Sequence, residues 1–159
     1  VSNQDRVVPD FDLEPDFIVE RIDLCVIRVS PTRHVAVTEE HALAILERSF
    51  QLTGHRPYVM LIDMGLVNDV SPTARRVLMS ARHIRAAAML GRTPMDRMLA
   101  APYEDAVYPA KYFTDKQTAG QWLKLIHDLV CEDPIEHTIS LTVDLEPLKA
   151  WPRPRRTRY

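Results

Sequence analysis

The sequence predicts an α/β domain with a mixed, mostly parallel sheet of about five strands and about four helices, on three observations. The first is the run Tyr58-Val59-Met60-Leu61-Ile62, too short for a helix and unbroken by polar residues, as expected of a strand buried on both faces of a sheet. The second is a repeated device, Ser71-Pro72 and Thr93-Pro94. Each sets a good N-cap before a proline, which fits the first helical position because its missing N–H would be unpaired there anyway. The third is the alternation of strand-like and helix-like apolar spacing from Phe17 to Val130, the pattern of strands joined by crossover helices.

In chain order, residues 1–16 are acidic and proline-punctuated (Asp5, Pro9, Asp10, Asp12, Glu14, Pro15, Asp16) and read as a mobile or loosely docked arm. The stretch FIVERIDLCVIRVSP from Phe17 is rich in β-branched residues, so a two-strand meander around Asp23 is expected. Residues 30–34 form a loop and Val35 to Val37 add a few extended residues. Thr38 then caps a helix with Glu39 and Glu40 in its first turn, where the positive end of the helix dipole favours carboxylates. Ala42, Ile45, Leu46, Phe50 and Leu52 face inward at helical spacing, and Gly54 ends the element in the left-handed conformation.

After Tyr58–Ile62, closed by Asp63, a loop leads to the Ser71 helix, with Ala74, Val77, Leu78 and Ala81 inward and Arg75, Arg76 and Arg82 outward. Propensity alone would carry that helix on through Ala86-Ala87-Ala88. Doing so leaves no strand before the next helix, so a break near residues 83–85 and a short buried strand over Ala86 to Leu90 are expected. Thr93-Pro94 opens a helix over Met95, Met98, Leu99 and Ala100 that ends near Pro102. Tyr103 to Val107 reads as a polar connection and Tyr108 to Phe113 as the last strand, with Pro109 at its first residue or at an edge. Thr114 and Gln117 have capping-box spacing, and the helix they open carries Ala119, Trp122, Leu123, Ile126, Leu129 and Val130 on one face. One domain over 17–131 follows, with residues 132–159 as an extension. Within that extension Thr138 to Leu145 alternates as an extra strand would, and Trp151 to Tyr159 is a proline-broken basic tail.

A chain of 159 residues, 46% hydrophobic and 26% charged, is long enough for a proper core without staples. The net charge of −2 gives no general attraction to nucleic acid or anionic membrane. Arg153, Arg155, Arg156 and Arg158 could touch nucleic acid only weakly, through the tail. Cys25 and Cys131 lack metal or redox spacing, and no apolar run approaches the ~20 residues that span a bilayer. Reduced thiols and a cytoplasmic location are the expectation, with no membrane partner. The six histidines make no i, i+4 pair or Cys/His cluster, and no Gly-rich phosphate loop or nucleophile elbow occurs. No cofactor, no metal and no enzymatic activity are expected.

Several segments together resemble a known fold family: Arg56-Pro57, Met60-Leu61-Ile62-Asp63, Ser71 with Ala74-Arg75, Ala86-Ala87-Ala88 before Pro94, and Tyr112-Phe113-Thr114-Asp115 before Ala119 and Trp122-Leu123. From about Val19 to Val130 the chain resembles the STAS, or SpoIIAA-like, fold of anti-sigma-factor antagonists, within a bacterial branch. In those antagonists a strand ending in Asp leads to an Asp-Ser-Ser/Thr-Gly-Leu-Gly turn whose hydroxyl is phosphorylated. By that resemblance Asp63 occupies the strand end, Asp69-Val70-Ser71-Pro72-Thr73-Ala74 lies where the turn would be, and Ser71 inherits the role. The chain departs from the pattern in lacking Gly-Leu-Gly and in having Pro72 directly after the serine, so docking to a classical anti-sigma kinase is not implied.

The candidate phosphorylation or anion site is therefore Asp63, Asp69, Ser71, Thr73, Arg75 and Arg76. A phosphate there gains from the helix N-terminus and from Arg75 or Arg76. The plainer alternative, that Ser71 is only a cap with two solvated arginines behind it, is the commoner use of such a serine. The functional expectation is a non-enzymatic regulatory or protein-interaction domain whose partner is another protein or a second copy of itself, as in a homodimer. The runner-up is a carrier or sensor of a small apolar ligand held between helix and sheet.

Overall fold

The computed structural model describes residues 13–130. The strand and tail expected within 132–159, Cys131, and most of the acidic arm lie outside those residues. The chain runs β1 (Phe17–Asp23), β2 (Val26–Pro31), β3 (Val35–Val37), α1 (Glu39–Leu52), β4 (Tyr58–Asp63), β5 (Val67–Val70), α2 (Pro72–Met79), β6 (Ile84–Leu90), α3 (Pro94–Ala100), a 3-10 turn (Ala101–Asp105), β7 (Ala110–Phe113) and α4 (Lys116–Val130). Five strands form the main sheet in the order β1-β2-β4-β6-β7. β1 and β2 are an antiparallel hairpin, and every later pairing is parallel. Over the described residues the fold is α/β, a mostly parallel five-stranded sheet with four helices.

β4 is the middle strand, with Tyr58, Val59, Met60 and Leu61 all buried. Their side chains alternate between two cores, which is why the run has no polar face. Ile27, Val29, Tyr58, Met60 and Ala87 point to the face covered by α1 and α2. Val26, Val59, Leu61, Ala86, Ala88 and Leu90 point to the other, against Ala119 and Leu123 of α4. Ala86 and Ala88 leave room for α4 to lie close, and the complete burial of Leu123 is worth about 1.5–3 kcal/mol. β6 begins at Ile84, so the alanine run is a strand despite its helical propensity. Parallel pairing of Val59, Met60 and Leu61 with Ala86, Ala87 and Ala88 overrides the local preference.

Several local expectations are corrected. The segment after Asp63 contains a strand: Val67 and Val70 are buried while Asn68 and Asp69 are exposed. β5 pairs in parallel with β3 as a separate two-stranded sheet. The α4 cap is Asp115, which accepts from the Thr118 N–H at 2.8 Å and the Thr118 hydroxyl at 2.7 Å, instead of the Thr114 and Gln117 box. Tyr103 is not in a polar connection; it is buried with Met64, Met89 and Ala100. Met95 and Met98 are exposed, and so is Leu129. On α4 the core position belongs to His127, which is 1% exposed.

The body also begins before the first strand. Leu13 is buried, and Asp16 accepts from His41 Nε2 at 2.9 Å and from Arg33 Nε at 2.9 Å. His41 completes the α1 cap: its N–H donates to the Thr38 hydroxyl at 3.2 Å, and its Nδ1 accepts from the Thr38 N–H at 3.1 Å. Because Nδ1 is an acceptor, the ring hydrogen sits on Nε2, where it meets the Asp16 carboxylate. One histidine thus ties the first helix to the segment preceding the sheet. Among the described residues no helix is long and apolar enough to cross a membrane.

Candidate functional site

The mouth expected between Asp63 and the Ser71 helix is two separate places in the structure, because β5 lies between them. Val37 ends β3 and Val70 ends β5, and these two residues are register partners. The residues that follow, Thr38 and Ser71, start α1 and α2. The Ser71 N–H donates to the Val37 carbonyl at 3.0 Å. Its hydroxyl accepts from the Ala74 N–H at 3.0 Å and lies 3.2 Å from the Thr73 hydroxyl. Ser71 is thus the N-cap of α2, half-buried, with Thr73 exposed beside it. Asp69 is exposed on β5 opposite Ala36.

The two arginines behind the cap differ. Arg76 is exposed. Arg75 is half-buried, and its Nε is enclosed without a hydrogen-bond partner. It lies near Tyr103, whose hydroxyl burial pushes up to about 12 against the opposing pull of the Arg75 charge. The structure therefore brings Ser71 and Thr73 together and directs Arg75 toward the 3-10 turn.

Asp63 belongs to the other place, a cleft of about 750 Å³ at the carboxyl ends of β4, β6 and β7. Such an edge is where ligands bind in open α/β sheets. Gly91, Arg92, Thr93, Asp96, Asp115 and Lys116 also line it. Its carboxylates are occupied locally. Asp63 accepts from the Gly65 N–H at 2.9 Å, and Asp96 accepts from the N–H groups of Arg92 at 2.8 Å and Thr93 at 3.2 Å. The hydrogen bonds from the Thr118 hydroxyl and N–H hold Asp115 below its ordinary value. Each fastens the loop it stands on. Beneath the cleft, a Cβ on Gly91 would lie 2.6 Å from Asp96 Cβ and 2.7 Å from the Tyr112 hydroxyl, so only glycine fits. Among the described residues no group of three His, Cys, Asp or Glu side chains is placed to hold a metal ion.

A third feature was not expected from the sequence: Cys25 and His127, 102 positions apart, meet with Sγ and Nε2 separated by 2.8 Å. No local spacing encodes such a pair, and its only signal was a histidine on the apolar side of α4, next to Ile126.

The architecture is similar to a solved structure, that of an uncharacterised protein of the DUF3478 family with a SpoIIAA-like fold from Shewanella loihica PV-4. The two share 18% identity, with 67% of this chain and 91% of that chain covered and a TM-score of 0.50. At that identity the likeness establishes the fold, which is SpoIIAA-like, and nothing about activity. No curated protein sequence matches significantly. The profile of one family matches residues 22–127, more than half of the chain and all of the main sheet from the end of β1, and the chain accordingly belongs to the family described as domain of unknown function DUF7793.

Proposed function

We propose that this chain is a non-enzymatic interaction domain that binds a protein partner, and that a phosphate or other anion at Ser71 switches the binding. The observation that carries the reading is the pairing of Val37 with Val70, which sets the N-termini of two helices side by side with a hydroxyl between them. Helix N-termini favour negative charge. A phosphate on Ser71 adds close to two negative charges beside Glu39 and Glu40 of the adjoining helix, which changes the charge of that surface sharply. The commitment of the cleft carboxylates to their own loops supports a binding role over acid–base chemistry.

The alternative, a carrier of a small apolar ligand, rests on a cavity lined by Val29, Ile45, Met60, Val67, Leu78 and Tyr108, among others, with a volume of about 60 Å³. Ordinary ligand sites are larger, ~300 Å³ or more, so this space admits only a few heavy atoms and the binding role is the stronger reading. Phosphopeptide mapping of protein expressed in its native host, with partner recovery compared for wild type, Ser71→Asp and Ser71→Ala, tests the proposal. Modification at Ser71 and a partner held by Ser71→Ala and lost by Ser71→Asp, or the reverse, is the expected result. An unmodified serine, together with identical partners for all three proteins, would sink it.

A further inference from the structure

The turn between β1 and β2 places Cys25 against the last turns of α4. Its thiol is 2.8 Å from His127 Nε2. On the far side of the ring, Nδ1 is 3.1 Å from Asp128 Oδ1, and Asp128 Oδ2 accepts from Lys124 Nζ at 2.7 Å. Burial pushes the Asp128 carboxyl up, but the hydrogen bonds from Lys124 and His127, together with the Lys124 charge, outweigh it and hold the group below its ordinary value. An ionised carboxylate can only accept, so Nδ1 carries a hydrogen and Nε2 turns its lone pair to the thiol. Thiol, base and positioning carboxylate stand in the order of an activated nucleophile. Cys25 is 4% exposed and His127 1%. At that burial the arrangement suits a reagent of a few atoms better than a bulky substrate.

We propose that Cys25 is a peroxide-modifiable thiol activated by His127. Its sulfur bonds to one oxygen of hydrogen peroxide as the O–O bond breaks. The thiol proton passes to His127 Nε2 and from there to the departing hydroxide, so that the products are Cys25 sulfenic acid and water. Sulfur gives up two electrons and the peroxide gains them. Access needs only local opening at the turn between β1 and β2, which carries Cys25, and turns open far more readily than the whole domain. The added oxygen then has to be accommodated between the hairpin turn and α4, both packed at this point, and so loosens the contact between them.

The full-length reduced protein is treated with hydrogen peroxide in the presence of dimedone, digested with trypsin, and quantified. Residues 22–28 form a tryptic fragment that carries Cys25 apart from Cys131. The expected result is dimedone on Cys25 in the folded protein, formed about tenfold or more slowly in His127→Gln and slowed by a smaller factor in Asp128→Asn. Both variants are checked for native circular dichroism. If His127→Gln does not fold, Asp128→Asn alone decides, since that side chain is 20% exposed and outside the core. An unlabelled Cys25 in folded wild type, labelling no faster than global unfolding, or equal rates in wild type and the folded variants would overturn the proposal.

Discussion

Val37 and Val70 are the last partners of the parallel β3–β5 pair, and the Ser71 N–H closes this junction on the Val37 carbonyl. Loss of the Ser71 hydroxyl therefore removes the cap of α2 without disturbing the junction. Ser71→Ala is expected to lower unfolding free energy by about 1 kcal/mol, and Ser71→Asp, also a good cap, by much less. Urea denaturation of the two variants measures this. An effect of Ser71→Asp on partner binding then reports on charge, because the fold is intact.

Gly91 is expected to tolerate no side chain. Gly91→Ala drives a methyl into Asp96 Cβ and the Tyr112 hydroxyl, and overpacking of this kind costs about 1–3 kcal/mol. A thermal melt of the variant gives the size of the loss. Restored stability in Gly91→Ala combined with Tyr112→Phe would show that the hydroxyl is the main obstacle.

Tyr108 donates to the Leu78 carbonyl near the end of α2 at 2.7 Å. Tyr108→Phe leaves that acceptor without the bond, and a loss of about 1–2 kcal/mol is expected. The midpoint of urea unfolding should fall with no change in its slope.

Acid sensitivity follows from Asp16. The hydrogen bonds from His41 and Arg33 hold its carboxyl below the ordinary 3.8. A carboxyl lowered in the folded state adds stability at pH values above its unfolded value, and that stability fades as the pH falls from about 4 through the lowered folded value. Stability measured between pH 6 and pH 2 should therefore drop more steeply for wild type than for Asp16→Asn. Parallel curves would assign no share to Asp16.

Self-association is tested on the full chain by light scattering across a range of concentrations. If a second copy is the partner, the mass doubles with concentration for wild type. A constant monomer mass directs the search to other proteins.

The parts of this fold that were legible in advance are those where local chemistry and tertiary environment agree. Ser71-Pro72 and Thr93-Pro94 start helices because cap and proline act within one turn. The apolar run of β4 betrays a strand covered on both sides. β5 was invisible because Asn68 and Asp69 dilute it to two apolar residues, and only the pairing with β3 makes it extended. The same strand separated Asp63 from Ser71, so the single mouth expected at that point became two places. Asp115 capped α4 where Thr114 was expected, a shift of one residue that composition cannot distinguish. The ties of His41 to Asp16 and of Cys25 to His127 join residues 25 and 102 positions apart, which no local pattern encodes.

Ala86 and Ala88 meet Ala119 and Leu123 of α4, the last of the described elements. During synthesis, β4 and β6 emerge from the ribosome well before the helix that shields this side of them. The nascent chain therefore carries a bare, smooth, adhesive strand surface until α4 is translated and docks, an interval in which chaperones have most to protect. A stop codon upstream of Lys116 would make that interval permanent and yield an insoluble fragment.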